Sequence, residues 1–347
     1  MAAAGRVACP PGSTLTKDAF MSRRDIVVIG ASAGGVRALR VLAAGLPADF
    51  AAAVCVVLHV GAYRSNLPEL LEAVGALPAA HAATGDALRH GRILVAPPDH
   101  HLLLQDGAAL LTRGPREHHT RPAVDPLFRS AALNHGSRVI GVLLTGGLDD
   151  GTAGLQAIQE CGGLVVVQDP AEAEDPGMPG AALQALDVDH CLPLEHIAPL
   201  LVELVRQPAP AAPQPPARLV HEHSAGLGGK NAMDELGQAG VPSTLVCPDC
   251  KGALWEISGT QPPCYPRYRC HTGHAFSLRS LAAMQQEATE NALWSAVRAL
   301  QEKELLLRKI ADLDRRAGDE THARQAQGEA DALRGQAEVL RKLVKKD

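Results

Sequence analysis

The chain has 347 residues, 46% hydrophobic and 20% charged, with a formal net charge of −5; it is long enough for two domains and lacks the bulk positive charge that draws a protein to nucleic acid or an anionic membrane. Aromatic residues, at 3%, leave few platforms for base stacking, and no apolar run approaches the ~20 residues of a membrane span. Eight cysteines, four of them clustered between Cys247 and Cys270, fit a cytoplasmic protein with one metal site better than a disulfide framework.

Residues 1–21 read as a disordered leader without the long apolar core of a secretion signal, and Met21 stands just before the first strand pattern. From 22 to 206 short apolar runs alternate with helical patterns. The runs Ile26 to Ile29, Ala53 to Leu58, Arg92 to Ala96, Val139 to Leu144 and Leu164 to Val167 are rich in Val, Ile and Leu, as strands buried on both faces are. Helical spacing covers Gly35 to Ala44, Ser65 to Val74, Pro126 to Asn134, Thr152 to Glu160 and Ile197 to Val205. Leu102 to Leu111, with Asp106-Gly107 inside it, reads as a hairpin. This alternation predicts an α/β domain with a doubly wound, mostly parallel sheet. Residues 207–242 read as a Pro/Ala/Gly linker, 243–277 as a small cysteine-rich segment and 278–347 as a helical tail. In the tail Ala326, Ala330, Leu333, Ala337, Leu340 and Val344 keep 4-3 spacing, the seam of a helical hairpin, a coiled-coil dimer or a docking helix. Gly318 marks the break of a hairpin.

Gly30-Ala-Ser32-Ala-Gly34 satisfies G-x-S-x-G at the end of the first strand. A serine hydroxyl needs a base, and the base an orienting acid. The second strand ends in His59, and the strand after Val139 runs into Asp149-Asp150. The carboxyl ends of parallel strands share one edge of the sheet, so Ser32, His59 and Asp150 are expected to meet there. Competing readings are structural: Ser32 and Asp150 as helix N-caps and His59 as a satisfied core residue. A phosphate-binding turn is the weaker functional alternative, because the loop lacks both G-x-G-x-x-G spacing and a Walker lysine.

The separated motifs Gly30-Ala-Ser-Ala-Gly-Gly35, His59, Val95 to Leu102, Arg121-Pro-Ala-Val-Asp-Pro-Leu-Phe-Arg-Ser130, Leu144 to Gly151, Gln168 to Pro170 and Gly177-Met-Pro179 resemble the catalytic domain of the chemotaxis protein-glutamate methylesterase family. The resemblance implies a serine hydrolase that removes methyl esters from glutamate side chains of receptor-like proteins and deamidates glutamines, with Ser32, His59 and Asp150 as its triad and no cofactor for catalysis. It implies methylated receptor cytoplasmic segments as partners. Arg121 and Arg129 are candidates to orient acidic receptor segments or, at least equally, solvated or structural arginines, and Met178 reads as site wall or core. Ala33, Gly147 and Leu148 depart from the family pattern, and no phospho-acceptor receiver domain precedes the first strand. With the extension after residue 243, the chain resembles a stand-alone subgroup. The alternative is a catalytically inactive scaffold of a chemosensory pathway.

Cys247-Pro-Asp-Cys250 is followed by Cys270-His-Thr-Gly-His274. Three thiolates and one imidazole make a closed tetrahedral Cys3His set, so Cys247, Cys250, Cys270 and His274, ahead of His271, are expected to hold a structural zinc. The segment is too short for a core of its own, and the metal would supply its stability. Cys264 is left over.

Overall fold

The computed structural model describes residues 23–228, 231–257 and 266–344. The expected leader and Cys264 lie outside the described residues. In chain order the elements are β1 (Ile26–Ala31), α1 (Gly35–Gly45), β2 (Ala53–Leu58), α2 (Leu67–Glu72), β3 (Ala79–His81), β4 (Arg92–Val95), β5 (His101–Gln105), β6 (Ala108–Thr112), α3 (Val124–His135), β7 (Val139–Leu143), α4 (Thr152–Glu160), β8 (Leu164–Gln168), α5 (Gly177–Ala185), β9 (His190–Leu192) and α6 (Leu194–Leu204). Then follow α7 (Ala217–Gly226), α8 (Ala232–Ala239), β10 (Val241–Val246), β11 (Ala253–Ile257), β12 (Arg267–Cys270), β13 (Ala275–Ser277), α9 (Leu278–Ala317) and α10 (Glu320–Val344).

Strands β3-β4-β2-β1-β7-β8-β9, in that order, form one sheet in which every pairing is parallel. Both faces are covered, which is why the strands read as continuous apolar runs. Along β1, Val27, Ile29 and Ala31 enter the core shared with α1 and α6, while Ile26 and Val28 enter the one beneath α3 and α4. The chain leaves β1 toward β2 on one side and later returns to β7 on the other. β1 therefore borders the switch point where such sheets bind ligands. The expected hairpin is β5–β6, turned through Asp106 and Gly107, both at positive φ.

The stretch read as a linker differs from expectation: α7 and α8 form within 207–242. Their apolar positions are sparse, so periodicity is weak, and tertiary contact decides. Leu219 and Ala225 of α7 are buried with Glu222, and Leu236 and Ala239 of α8 pack with Ile257 of β11. The three-residue strands β3 and β9 and the helix α5 were also not predicted; the strands are too short for a period of two to be seen.

Strands β10-β11-β12-β13 make a small antiparallel sheet. Gly318, at φ 82, caps α9, and α10 returns along it. The 4-3 seam is spent within this hairpin: Ala326, Ala330 and Ala337 are buried, while Leu306, Ile310 and Leu313 are exposed on the outer face. No described helix is long and apolar enough to cross a membrane.

Candidate active site

Ser32 follows β1, His59 follows β2 and Asp150 follows β7, the three adjacent central strands. Backbone bonds register the three strand ends. Ser32 N donates to Thr145 O (2.9 Å) and His59 N donates to Ala31 O (3.2 Å). His59 Nδ1 lies 3.1 Å from Ser32 Oγ, and its Nε2 lies 2.8 Å from Asp150 Oδ2. A carboxylate on Nε2 favours the tautomer with its proton there, which leaves the Nδ1 lone pair facing the serine hydroxyl. Neither Ser32 nor Asp150 caps the helix that follows it. α1 is capped by Gly34, at φ 73, with no side-chain bond, and α4 starts at Gly151, also without one. Gly146 keeps the floor of the turn flat: a Cβ there would stand 2.7 Å from Ser32 Cβ and 2.3 Å from Met178 Sδ.

Asp150 caps a different helix. Its Oδ2 also accepts from Val124 N (2.8 Å) and its Oδ1 from Asp125 N (3.0 Å), the first turn of α3. Asp125 Oδ1 in turn accepts from Gly151 N and Gly154 N at the start of α4 (3.0 and 2.7 Å). Each carboxylate thus meets the positive end of the other's helix. His118 supplies the third charge: Nε2 is 2.8 Å from Asp125 Oδ2 and 3.6 Å from Asp150 Oδ1. Burial works against the Asp150 charge, but the His118 cation, the His59 bond and the α3 amides hold its pKa down to about 2. Burial likewise opposes the His118 cation, yet Asp150 and Asp125 raise it to about 10. Burial, with Asp150 alongside, pushes Asp125 up.

A cleft of about 270 Å³ opens over these residues, lined by Ser32, Ala33, His59, Gly147, Leu148 and Asp175 among others. The N–H groups of Ala33 and Gly147 have no acceptor among the described residues. At the departures from the family pattern, Leu148 stands at φ 60, a conformation glycine adopts more freely, and is exposed. A Cβ on Gly147 would come within 3.0 Å of Asp175 Oδ2, so the acid fills the space beside it.

The two arginines offered as receptor contacts are engaged within the fold. Arg121 binds Asp99 and the Gly114 carbonyl, and Arg129 is buried on Glu117 (2.6 Å). Met178 is fully buried beneath Gly146, hence core. Sequence reasoning did not single out His118, Asp125 or Asp175. Asp125 lies inside a quoted motif, whereas His118 is one of two adjacent loop histidines, with no periodicity to mark it.

Away from the cleft, Cys247, Cys250, Cys270 and His274 come together, each offering a ligand atom within 4.8 Å of the others. Bond lengths of ~2.3 Å to sulfur and ~2.0–2.1 Å to nitrogen in a tetrahedron require S···S of about 3.8 Å and S···N of about 3.6 Å. The Cys250–Cys270 sulfurs are 3.6 Å apart, and His274 Nδ1 is 3.5 and 3.8 Å from those of Cys270 and Cys247. Two turns build the set. Lys251 N bonds Cys247 O after the first pair, and Gly273 N bonds Cys270 O before His274. The four donors fit a tetrahedral ion such as zinc. His271 stands outside the set, against Gly252.

Residues 27–201 match the model of the CheB methylesterase family. A protein-glutamate methylesterase/protein-glutamine glutaminase of Anaeromyxobacter dehalogenans is 44% identical over 186 residues, covering 53% of this chain and 54% of the relative. A putative protein of the same name from Leptospira interrogans is 39% identical over 183 residues, 52% of this chain and 94% of the relative. The crystal structure of the Thermotoga maritima CheB methylesterase catalytic domain superposes with a TM-score of 0.50 at 34% identity, over 52% of this chain and 98% of that one. The chain thus spans about half the length of the Anaeromyxobacter relative and nearly all of the Leptospira one, and the family match ends at residue 201, before the cysteine-rich module. With the family matched over half the sequence and its fold present in the parallel sheet, the chain belongs to the CheB methylesterase family.

Proposed function

We propose that the protein is a serine hydrolase that demethylates glutamate side-chain esters, and deamidates glutamines, of receptor-like proteins. The observation that carries this reading is the Ser32–His59–Asp150 relay, with its 3.1 and 2.8 Å links. His59 Nδ1 takes the Ser32 proton as Oγ attacks the ester or amide carbonyl. Asp150 stabilises the imidazolium that results. The free N–H groups of Ala33 and Gly147 are the candidates for the developing oxyanion, which explains how backbone serves where both side chains depart from the family pattern. The protonated His59 gives its proton to departing methanol or ammonia, and water then releases the acyl group from Ser32 by the same exchange in reverse. The relatives carry this activity in their names, and a cleft lined by Ser32, His59 and Asp150 supports the same reading.

Under the same proposal Cys247, Cys250, Cys270 and His274 hold a structural zinc with no position open to substrate. The methylated cytoplasmic segment of a receptor is the substrate partner, and the protein works in the cytoplasm. A helical partner of the tail meets the outer stripe of Leu306, Ile310 and Leu313, because the inner seam is occupied.

A serine-directed fluorophosphonate probe, followed by methanol release from methylated receptor, tests the hydrolase. Wild type is labelled and releases methanol; Ser32→Ala does neither. Absence of labelling in wild type would favour the scaffold alternative. Metal analysis of the purified chain is expected to give one zinc per protein.

A further inference from the structure

The loop that carries Asp150 is held from two sides, and one of them is the C-terminal module. Ser277 Oγ, the N-cap of α9, donates to Asp149 Oδ1 (2.6 Å). Ser280 Oγ, in the same capping box, is 3.2 Å from His118 Nδ1. The His118 backbone is itself fastened to the module: its N donates to Ala275 O (2.8 Å), and Ala275 N donates to Arg116 O (3.3 Å). His118 and His119 both stand at positive φ, a conformation that persists only where surrounding contacts fix it.

These contacts lead directly to the Cys3His cluster. Ala275 follows His274, whose Nε2 is 3.9 Å from Asp249 Oδ2, and the other oxygen of Asp249 is 3.2 Å from His119 Nδ1. Asp249 therefore stands between a candidate ligand histidine, which it faces at ion-pair distance without a hydrogen bond, and the loop next to the relay, which it meets through His119. A buried ion cluster joins the same parts: Glu117 binds Arg129 of α3 and Arg269 of β12 (2.6 and 2.8 Å), and Glu222 of α7 binds Arg267 (2.7 Å).

We infer that the Cys3His module clamps the Asp149–Asp150 loop through Ser277 and His118, so that the module sets the position of the triad aspartate. The inference rests on the hydrolase reading. Ser277 and His118 are positioning residues in it, acting through Asp149 and Asp150. The module is then a working part of the active site rather than an appended binding unit, and metal occupancy governs turnover.

The test uses the full chain, the fluorophosphonate probe and the separate measurement of maximal labelling rate and probe affinity. Ser277→Ala and Asp149→Ala are each expected to lower the maximal rate on the order of tenfold with affinity unchanged, since sub-ångström misplacement acts on the chemical step. Together they should be no worse than Asp149→Ala alone, because Ser277 reaches the loop through Asp149; simple loss of the α9 cap would instead add to the Asp149 effect. Ser277→Thr, which keeps the hydroxyl, should restore the rate. Cys250→Ser, checked for lost zinc, should match the Ser277→Ala defect. A downfield imidazole proton shared by His59 and Asp150 should be visible by NMR in wild type and broadened in Ser277→Ala, a readout independent of labelling. Wild-type rates and an unchanged resonance in both Ser277→Ala and Cys250→Ser would overturn the clamp and leave the hydrolase intact. An unlabelled wild type would overturn both.

Discussion

Asp150→Asn separates the two tasks of one carboxylate. One oxygen receives His59 Nε2 and Val124 N, both at 2.8 Å; the other receives Asp125 N at 3.0 Å and faces His118 at 3.6 Å. Whichever way an asparagine turns, its NH2 points at donors, so at least one buried N–H loses its acceptor, a cost of about 1–3 kcal/mol. The lost charge adds to this. A pKa lowered from 3.8 to about 2 corresponds to about 2–3 kcal/mol of stability. Because that pKa is depressed on folding, its contribution is present above pH ~4 and fades as pH falls through 2. The variant should therefore unfold at pH 7 with about 3–6 kcal/mol less stability than wild type, with the gap narrowing toward pH 2. Labelling by the fluorophosphonate should fall on the order of 10⁴-fold, as the His59 tautomer is lost. Ser32→Ala is the control: the hydroxyl touches His59 alone among side chains, so labelling vanishes while urea unfolding stays within about 0.5 kcal/mol of wild type. Equal stability of Asp150→Asn and wild type at pH 7, or labelling within tenfold, would refute the shared role.

Three further outcomes follow from the same geometry. His118, raised to about 10 against Asp125, Asp150 and Asp149, contributes stability fully present below its unfolded pKa of ~6.5 and lost as pH rises through 10; thermal melts should decline over that interval in wild type and stay flatter in His118→Gln. Arg269→Ala leaves Glu117 and Glu222 short of a buried partner and should cost about 3–5 kcal/mol in urea unfolding; a loss below about 1 kcal/mol would show the cluster to be dispensable. Gly30→Ala places a Cβ 2.3 Å from Val124 Cγ1, so the start of α3 must move; we expect about 1–3 kcal/mol of destabilisation together with slower labelling, since Val124 N holds Asp150.

What could be read from the chain alone divides along the range of the forces involved. The central strands declared themselves because both faces of the sheet are buried, and strand direction then placed Ser32, His59 and Asp150 on one edge without any side-chain detail. The cluster of Cys247, Cys250, Cys270 and His274 was legible because it is set by short spacing on two turns. α7 was not legible. Its Glu222 is a charged residue at a buried position, and only Arg267, Arg129 and Arg269, from elsewhere in the chain, make that position tolerable. Arg129 stays ambiguous in the sequence for the same reason: a motif arginine reads equally as a substrate contact or as a structural residue until its buried partner Glu117 is seen. His118 has no local signal, as its partners lie on α3, the β7 loop and α9.

The exchange of caps between α3 and α4 explains why a local reading of Asp150 points the wrong way. An aspartate just before a helix is ordinarily taken as that helix's own N-cap. Here the two helix starts face each other, and Gly154 lets them approach closely, since a Cβ there would stand 2.4 Å from Phe128 Cβ. Asp125 then takes the amides of α4, freeing Asp150 to hold those of α3 and keep one lone pair for His59. Two carboxylates this close would repel and one would protonate. The His118 cation between them lets Asp150 stay ionised, and the C-terminal module holds His118 by its backbone and its ring. An ionised Asp150 built this way depends on a charge whose position is fixed from far along the chain, by Ala275 and by Ser280, 162 residues beyond His118. Loss of the module would therefore be felt first at His59, before the sheet itself loosened, because the sheet's own cores lie between its strands and flanking helices.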